Sequence, residues 1–324
     1  MSGFERDRTA GAAIERAFID ACLLDVTALK PGNVGLHAGG HGMQARAFVV
    51  SALAAARAIA RGADSVGSRI HRAVAATREA VGANTNLGIV LLAAPLVHAA
   101  AQPPRPRTRA ALADRLRSVL AGLTVADAAL AFAAIALAQP GGLGTSPRHD
   151  VRSPARVTLL EAMREAAERD LIARQYATGY ADLIETGLAR IASARARARD
   201  WRWTATEVYL AFLARYPDSH IVRKYGAAQA ALVRDAALEY DRAAAHATDL
   251  AAFAGALAKW DGELKARGLN PGTSADLAVA SLFFSFLCEP QVEDYPLRGT
   301  RRDAGDRVGA FSHEMNGNNH ERRT

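Results

Sequence analysis

Three short stretches of this chain combine glycine, asparagine and proline immediately ahead of a helical pattern. They are Lys30-Pro31-Gly32-Asn33-Val34, Gly82-Ala83-Asn84-Thr85-Asn86-Leu87-Gly88 and Leu269-Asn270-Pro271-Gly272-Thr273-Ser274-Ala275-Asp276. A helix start leaves backbone N–H groups unpaired and carries roughly half a positive charge. Glycine in the approach lets an oxyanion come close to those groups. Brought into one cleft, such starts could cradle a chain of phosphates. Lys30 would add a point charge, Asn33, Asn86 and Thr273 polar side chains, and Asp276 a carboxylate able to hold magnesium. Each loop also reads as plain punctuation. Thr273 and Asp276 have the spacing of a capping box, Asn270-Pro271 is an ordinary helix start, and Asn84 is a good N-cap. Recurrence of the pattern in one chain shifts the balance toward a shared site.

A second group of residues could serve the same chemistry. Tyr216-Pro217-Asp218-Ser219-His220 is a turn that reopens a helix. Asp218 is either its N-cap or a ligand of metal or ribose, with Arg223 and Lys224 placed to meet phosphate. His149-Asp150 follows a glycine-rich run and makes Asp150 a further metal candidate, although neighbours in a loop rarely point the same way. His37 and His41 lie in a glycine-rich loop rather than on a helix, which weakens a zinc pair. His41 is instead a candidate for proton transfer, since imidazole titrates near neutral pH. Cys22 and Cys288 have no metal or redox spacing and read as small buried side chains. His71 and His98 read as structural.

The elements that must hold these residues are helical. Leu250, Phe253, Leu257, Trp260 and Leu264 recur at three and four, as do Val157, Leu160, Met163, Ala167 and Leu171. No alternating run bounded by turns competes. The pattern predicts an all-α chain with helices near 10–28, 44–62, 66–81, 86–101, 108–121, 124–138, 156–172, 177–198, 205–215, 222–246, 248–267 and 274–288. Thr204 with Glu207 has capping-box spacing, and Tyr216-Pro217 stops the helix it would open. Residues 1–289 read as a single helical domain. After Glu289 the chain turns charged and polar as far as Thr324, the composition of a poorly ordered tail.

Composition narrows the function classes. Aromatic residues make up only 6% of the 324, while alanine fills runs such as Ala52–Ala60 and Ala126–Ala138. That is the composition of closely packed helices, which also pair readily into a homodimer. The formal charge of +7 suits an anionic ligand, but the arginines are scattered and no nucleic-acid motif accompanies them. A solvated basic face is therefore the expected reading, one whose field would also favour a polyphosphate ligand, and a nucleic acid is not expected. Val119–Ala138 is mostly apolar, yet Asp127 in its middle and its alanine content mark a buried helix rather than a membrane span. An N-terminus opening with Glu5, Arg6, Asp7 and Arg8, without a signal-peptide core, points to the cytoplasm, as does the sparse cysteine usage.

Taken together, KPGNV from Lys30, GANTNLG from Gly82 and NPGTSADL from Asn270 resemble the motifs of the triphosphoribosyl-dephospho-CoA synthase family, in family order over about residues 15 to 288. The resemblance implies an all-helical enzyme that joins dephospho-CoA to the ribose of ATP with release of adenine, and Mg2+ as its metal. It makes Lys30, Gly32, Asn84, Thr85, Gly88, Gly272, Ser274 and Asp276 nucleotide-binding candidates. Asp276 is the first choice for metal and catalysis, and Glu79, just outside its motif, the second. Three departures stand out. The family's Leu after Lys-Pro-Gly is Asn33 here, and its His-x-Asp-Met becomes His41-Gly42-Met43, without the acid. Its His-Lys in the second motif becomes Asn86-Leu87, which removes a cation. In these respects the chain is similar to a divergent branch found in C1-metabolising organisms, which implies as an alternative a pterin or furan cofactor precursor as acceptor. A metal-dependent nucleotide-glycoside hydrolase and a non-enzymatic helical binding protein are the competing classes.

Overall fold

The computed structural model describes residues 3–36, 44–62 and 64–289, and among them there are fourteen α-helices and no β-strand. They are α1 (Gly3–Thr27), α2 (Ala45–Ile59), α3 (Val66–Val81), α4 (Leu87–Ala101), α5 (Arg109–Ala121), α6 (Val125–Ala138), α7 (Leu159–Ala166) and α8 (Leu171–Thr178). A π-helical segment, Leu183–Leu188, then runs into α9 (Ala189–Ala196), followed by α10 (Trp201–Arg215), α11 (Ser219–Tyr225), α12 (Ala227–His246), α13 (Leu250–Ala266) and α14 (Gly272–Cys288). The all-α expectation holds. These helices belong to one compact unit, Met1–Glu289. The segment 290–324, expected to be a polar tail, lies outside the described residues.

Two helices form the centre because they are apolar all round, and such a helix can only be satisfied on every side by protein. α4 buries each residue from Leu87 to Val97. α14 buries each residue from Thr273 to Phe286 except Asp276. They pack on each other, and α14 also packs on α1 and α10, where Phe18 meets Phe283 edge-on at 5.6 Å. Pro95 interrupts α4 and cannot donate to the Leu91 carbonyl one turn back. Tyr176 on α8 supplies the missing donor, its hydroxyl 2.5 Å from that oxygen, and Tyr180 donates to the Leu92 carbonyl at 2.9 Å. Buried carbonyls are thereby satisfied, and α8 is fastened to α4.

Several boundaries differ from the sequence expectation for local reasons. The segment 156–172 is two helices, because Asp170 caps α8 through the Ile172 and Ala173 N–H groups. Thr204 and Glu207 do not open a helix. α10 starts at Trp201 behind the cap Asp200, which places both inside it and buried, and Glu207 instead takes ion pairs from Arg197 and Arg199. The apolar run Val119–Ala138 is shared by α5 and α6, bent by 94°, and no single described helix is long and apolar enough to cross a membrane. His98 lies against the Asp64 carbonyl at 3.0 Å, a structural contact.

Candidate active site

An open cavity of about 500 Å³ lies where α4 and α14 begin, within the size range of small-molecule sites. All three glycine-rich loops reach it, in different ways.

The first loop supplies a support rather than a cation. Lys30 is buried and does not line the cavity. Its ammonium donates to the Asp25 carboxylate and to Asn33 Oδ1 at 2.7 Å, and it is Asp25 and Asn33 that face the space. Gly32 has a left-handed backbone (φ 81°), and its N–H donates to Asp261 Oδ1 at 2.8 Å. A Cβ there would fall 2.8 Å from the Leu269 carbonyl oxygen and 2.9 Å from Pro271 Cδ, so only glycine allows the first loop to press against the third. Asn33 Nδ2 donates to Asn270 Oδ1 at 2.9 Å across the same seam.

The second loop opens α4. Asn84 accepts the Leu87 N–H at 3.2 Å, and Thr85 donates to Ser51 Oγ at 2.5 Å. Asn86 occupies the N-cap but directs its amide elsewhere, accepting from Thr77 and donating to the Ser51 carbonyl. Asn84, Thr85, Asn86 and Gly88 all line the cavity. No described side chain caps the Gly88 N–H, which leaves this first turn for an anion.

The third loop delivers Asp276. The capping-box reading fails, because the N-cap of α14 is Pro271, whose own side chain caps nothing. Asp276 accepts no hydrogen bond from any described residue and lines the cavity, although protein surrounds it on all other sides. Burial pushes its carboxyl well above the usual carboxylate range; Asp25 and Asp218 add to the shift, while Lys30 and Arg223 oppose it. Gly88 makes room for this carboxylate, since a Cβ at Gly88 would lie 2.0 Å from Asp276 Oδ2. Gly272 similarly admits His220, whose Nδ1 would be 2.7 Å from a Cβ there.

Asp218 is a cap and not a metal ligand. Its Oδ1 accepts the His220 and Ile221 N–H groups at 2.9 and 3.2 Å, and its Oδ2 accepts the Ser274 N–H and hydroxyl at 2.7 and 2.8 Å. Those four donors fill a carboxylate's lone pairs. Asp218 and Ser274 are therefore buried behind the wall, tying α11 to the start of α14, whereas Thr273 and Gly272 face the cavity. Burial raises the Asp218 carboxyl, and these hydrogen bonds work against the rise.

The other candidates separate clearly. Arg223 lines the cavity, but Lys224 does not and instead packs against Gly141. Asp150 lines it too, yet its oxygens fold their own loop by accepting from the Ser146 and Arg152 N–H groups, both at 2.9 Å, and these bonds lower its pKa. Glu79 is exposed on α3 and does not line the cavity. His41 lies outside the described residues. No group of three or more His, Cys, Asp or Glu able to hold a metal occurs among the described residues.

Asp25 is the residue that sequence reasoning missed. It is 5% exposed at the end of α1, lines the cavity, and has its carboxyl raised by burial against the opposing pull of Lys30. Its position five residues before Lys30 was a signal only once that lysine was known to be buried.

A crystal structure from Archaeoglobus fulgidus, provisionally assigned as a triphosphoribosyl-dephospho-CoA synthase, matches with a TM-score of 0.58 and 24% identity, over 74% of this chain and 99% of that one. That likeness establishes the fold. No curated protein matches the chain. The family of ATP:dephospho-CoA triphosphoribosyl transferases (CitG) matches over residues 11–294. The chain belongs to this family and is a transferase that moves a triphosphoribosyl group from ATP. Neither the hydrolase nor the C1-cofactor alternative is favoured by the match.

Proposed function

We propose that the triphosphate of ATP lies across the starts of α4 and α14, with Asp276 taking the proton of an acceptor hydroxyl. The observation that supports this reading is Asp276 itself, a carboxylate with no hydrogen-bond partner among the described residues, on an otherwise buried helix, with room made for it by Gly88. Burial, with Asp25 and Asp218 nearby, raises its proton affinity above that of an ordinary carboxylate, which favours a role as general base. The acceptor in the family's reaction is dephospho-CoA. Its hydroxyl oxygen forms a bond to the anomeric carbon of the ATP ribose, the bond from that carbon to adenine breaks, and adenine leaves with the electron pair. The proton lost by the hydroxyl balances the one gained by adenine.

The donor set suits magnesium. Asp25 and Asp276 present hard oxygens to one cavity, and Asp25 disfavours ionisation of Asp276, a repulsion that a divalent cation would relieve. Mg2+ is typically held by one or two carboxylates plus substrate phosphates, not by a protein cage. Asp25 would hold it, leaving Asp276 to take the proton, and when bound it would offset phosphate charge. Lys30 keeps Asp25 in place, while Asn84 and Thr85 fix the opening of α4 against which the phosphates rest. The free thiols of Cys22 and Cys288 suit a reducing cytoplasm.

The test is chromatographic detection of adenine from Mg·ATP with dephospho-CoA. Release should require both substrates and disappear in Asp276→Asn while Mg·ATP still binds. Release from ATP alone at the same rate would instead mean water is the acceptor, and wild-type protein indifferent to Mg·ATP would refute the reading.

A further inference from the structure

We propose that Arg148, Arg169 and Arg223 form the subsite for the diphosphate of the acceptor, in the same cavity as the carboxylates that take the donor. This rests on the donor reading above. All three arginines line the cavity, yet none comes from the three glycine-rich loops. They stand on the connection after α6, at the turn between α7 and α8, and on α11.

Neighbouring acceptors orient these guanidiniums without using up their donors. Arg148 makes a two-pronged contact with Glu165, at 3.0 and 2.6 Å. Arg169 donates to the Glu165 carbonyl at 2.9 Å and to Ser146 Oγ at 3.3 Å. Arg223 donates to Asp170 Oδ2 at 2.8 Å, and the other oxygen of Asp170 caps α8. A guanidinium carries five N–H donors, so each retains several. Arg223 Nε in particular is buried with no hydrogen-bond partner among the described residues. The connection is also seated for a purpose: His149, which lines the cavity, holds a left-handed backbone (φ 53°), and strain of that kind gathers at functional sites.

Charge decides which phosphates go where. A bare diphosphate brought to Asp25 and Asp276 meets two carboxylates and is repelled, whereas a metal-bound triphosphate is not. Arginine forks match metal-free phosphate oxygens in pairs and need no cation between. Of the family's two substrates, dephospho-CoA is the one whose phosphates must bind without the donor's metal.

Calorimetric titration of the full chain tests this. Arg148→Ala and Arg169→Ala should each weaken dephospho-CoA at least tenfold, leave Mg·ATP affinity within twofold, and leave phosphate-free pantetheine unaffected. Arg169→Lys should recover only part of the loss, and unchanged melting temperatures show that the variants fold. Arg148 is 70% exposed, so its replacement does not threaten the core. Unchanged dephospho-CoA affinity in both variants, a comparable loss of Mg·ATP affinity, or wild-type protein that fails to bind dephospho-CoA would each overturn the proposal. Failure of the donor reading looks different: wild type would bind dephospho-CoA and ignore Mg·ATP.

Discussion

Replacing Gly88 with alanine tests the site at its tightest point. The added Cβ would lie 2.0 Å from Asp276 Oδ2, 2.6 Å from its Cγ and 2.7 Å from Ile172 Cδ1. Ordinary carbon contacts begin near 3.5 Å, so the carboxylate has to retreat by about 1.5 Å. A misplacement of about 1 Å in a catalytic group can cost roughly a hundredfold in rate. Overpacking costs about 1–3 kcal/mol, and alanine regains about 0.5–1 kcal/mol of helix preference over glycine. The net loss of stability is then about 0–2.5 kcal/mol, a fall of a few degrees in melting temperature at roughly 2–4 °C per kcal/mol. Activity should therefore fall far more than stability. Adenine release and thermal melting on the same preparation measure both. Gly88→Ala with activity within threefold of wild type would show that the position of the Asp276 carboxylate does not matter to the reaction.

Three further outcomes follow from the structure. Because burial raises the Asp276 pKa above its ordinary 3.8, the folded protein is most favoured below that value and loses stability as pH rises through the raised one. Asp276→Asn should thus melt above wild type at pH 8 in metal-free buffer, with the gap closing on acidification; a variant less stable than wild type at pH 8 would contradict this. Tyr176→Phe leaves the Leu91 carbonyl buried without a donor and should cost about 1–3 kcal/mol in denaturant unfolding. Much of that should return in Tyr176→Phe/Pro95→Ala, where residue 95 regains its N–H, and strictly additive losses would refute the assignment. Glu79→Ala, at an exposed position away from the cavity, should leave adenine release unchanged and stability within about 0.5 kcal/mol; a large loss of release would return Glu79 to the site.

Much of this was legible in the chain. Helical periodicity and alanine runs gave the fold class, and the three glycine-rich loops marked the cavity because close approach of backbone to backbone leaves a compositional trace. What they could not reveal was which side chain faces inward. Lys30 read as a phosphate ligand because a loop lysine is ordinarily solvated, yet here it is buried beneath the floor and holds Asp25. Asp218 and Asp276 looked alike in sequence, each an acid near a helix start, but partner supply separates them. Asp218 has four donors and Asp276 none among the described residues. The Thr204–Glu207 spacing misled because a capping box is recognised by pattern, while Asp200 won the actual cap and left Glu207 to the arginines. Arg148 and Arg169 were missed for a similar reason: neither belongs to a glycine-rich loop, and only the fold brings them to the cavity beside Arg223, a phosphate candidate from its position after Asp218.

The most direct test is a crystal structure with Mg·ATP bound to Asp276→Asn, which should form the complex without turning over. The triphosphate should lie against the first turn of α4 and the metal beside Asp25, within reach of position 276. A triphosphate held instead by Arg148 and Arg169, or outside this cavity, would contradict it.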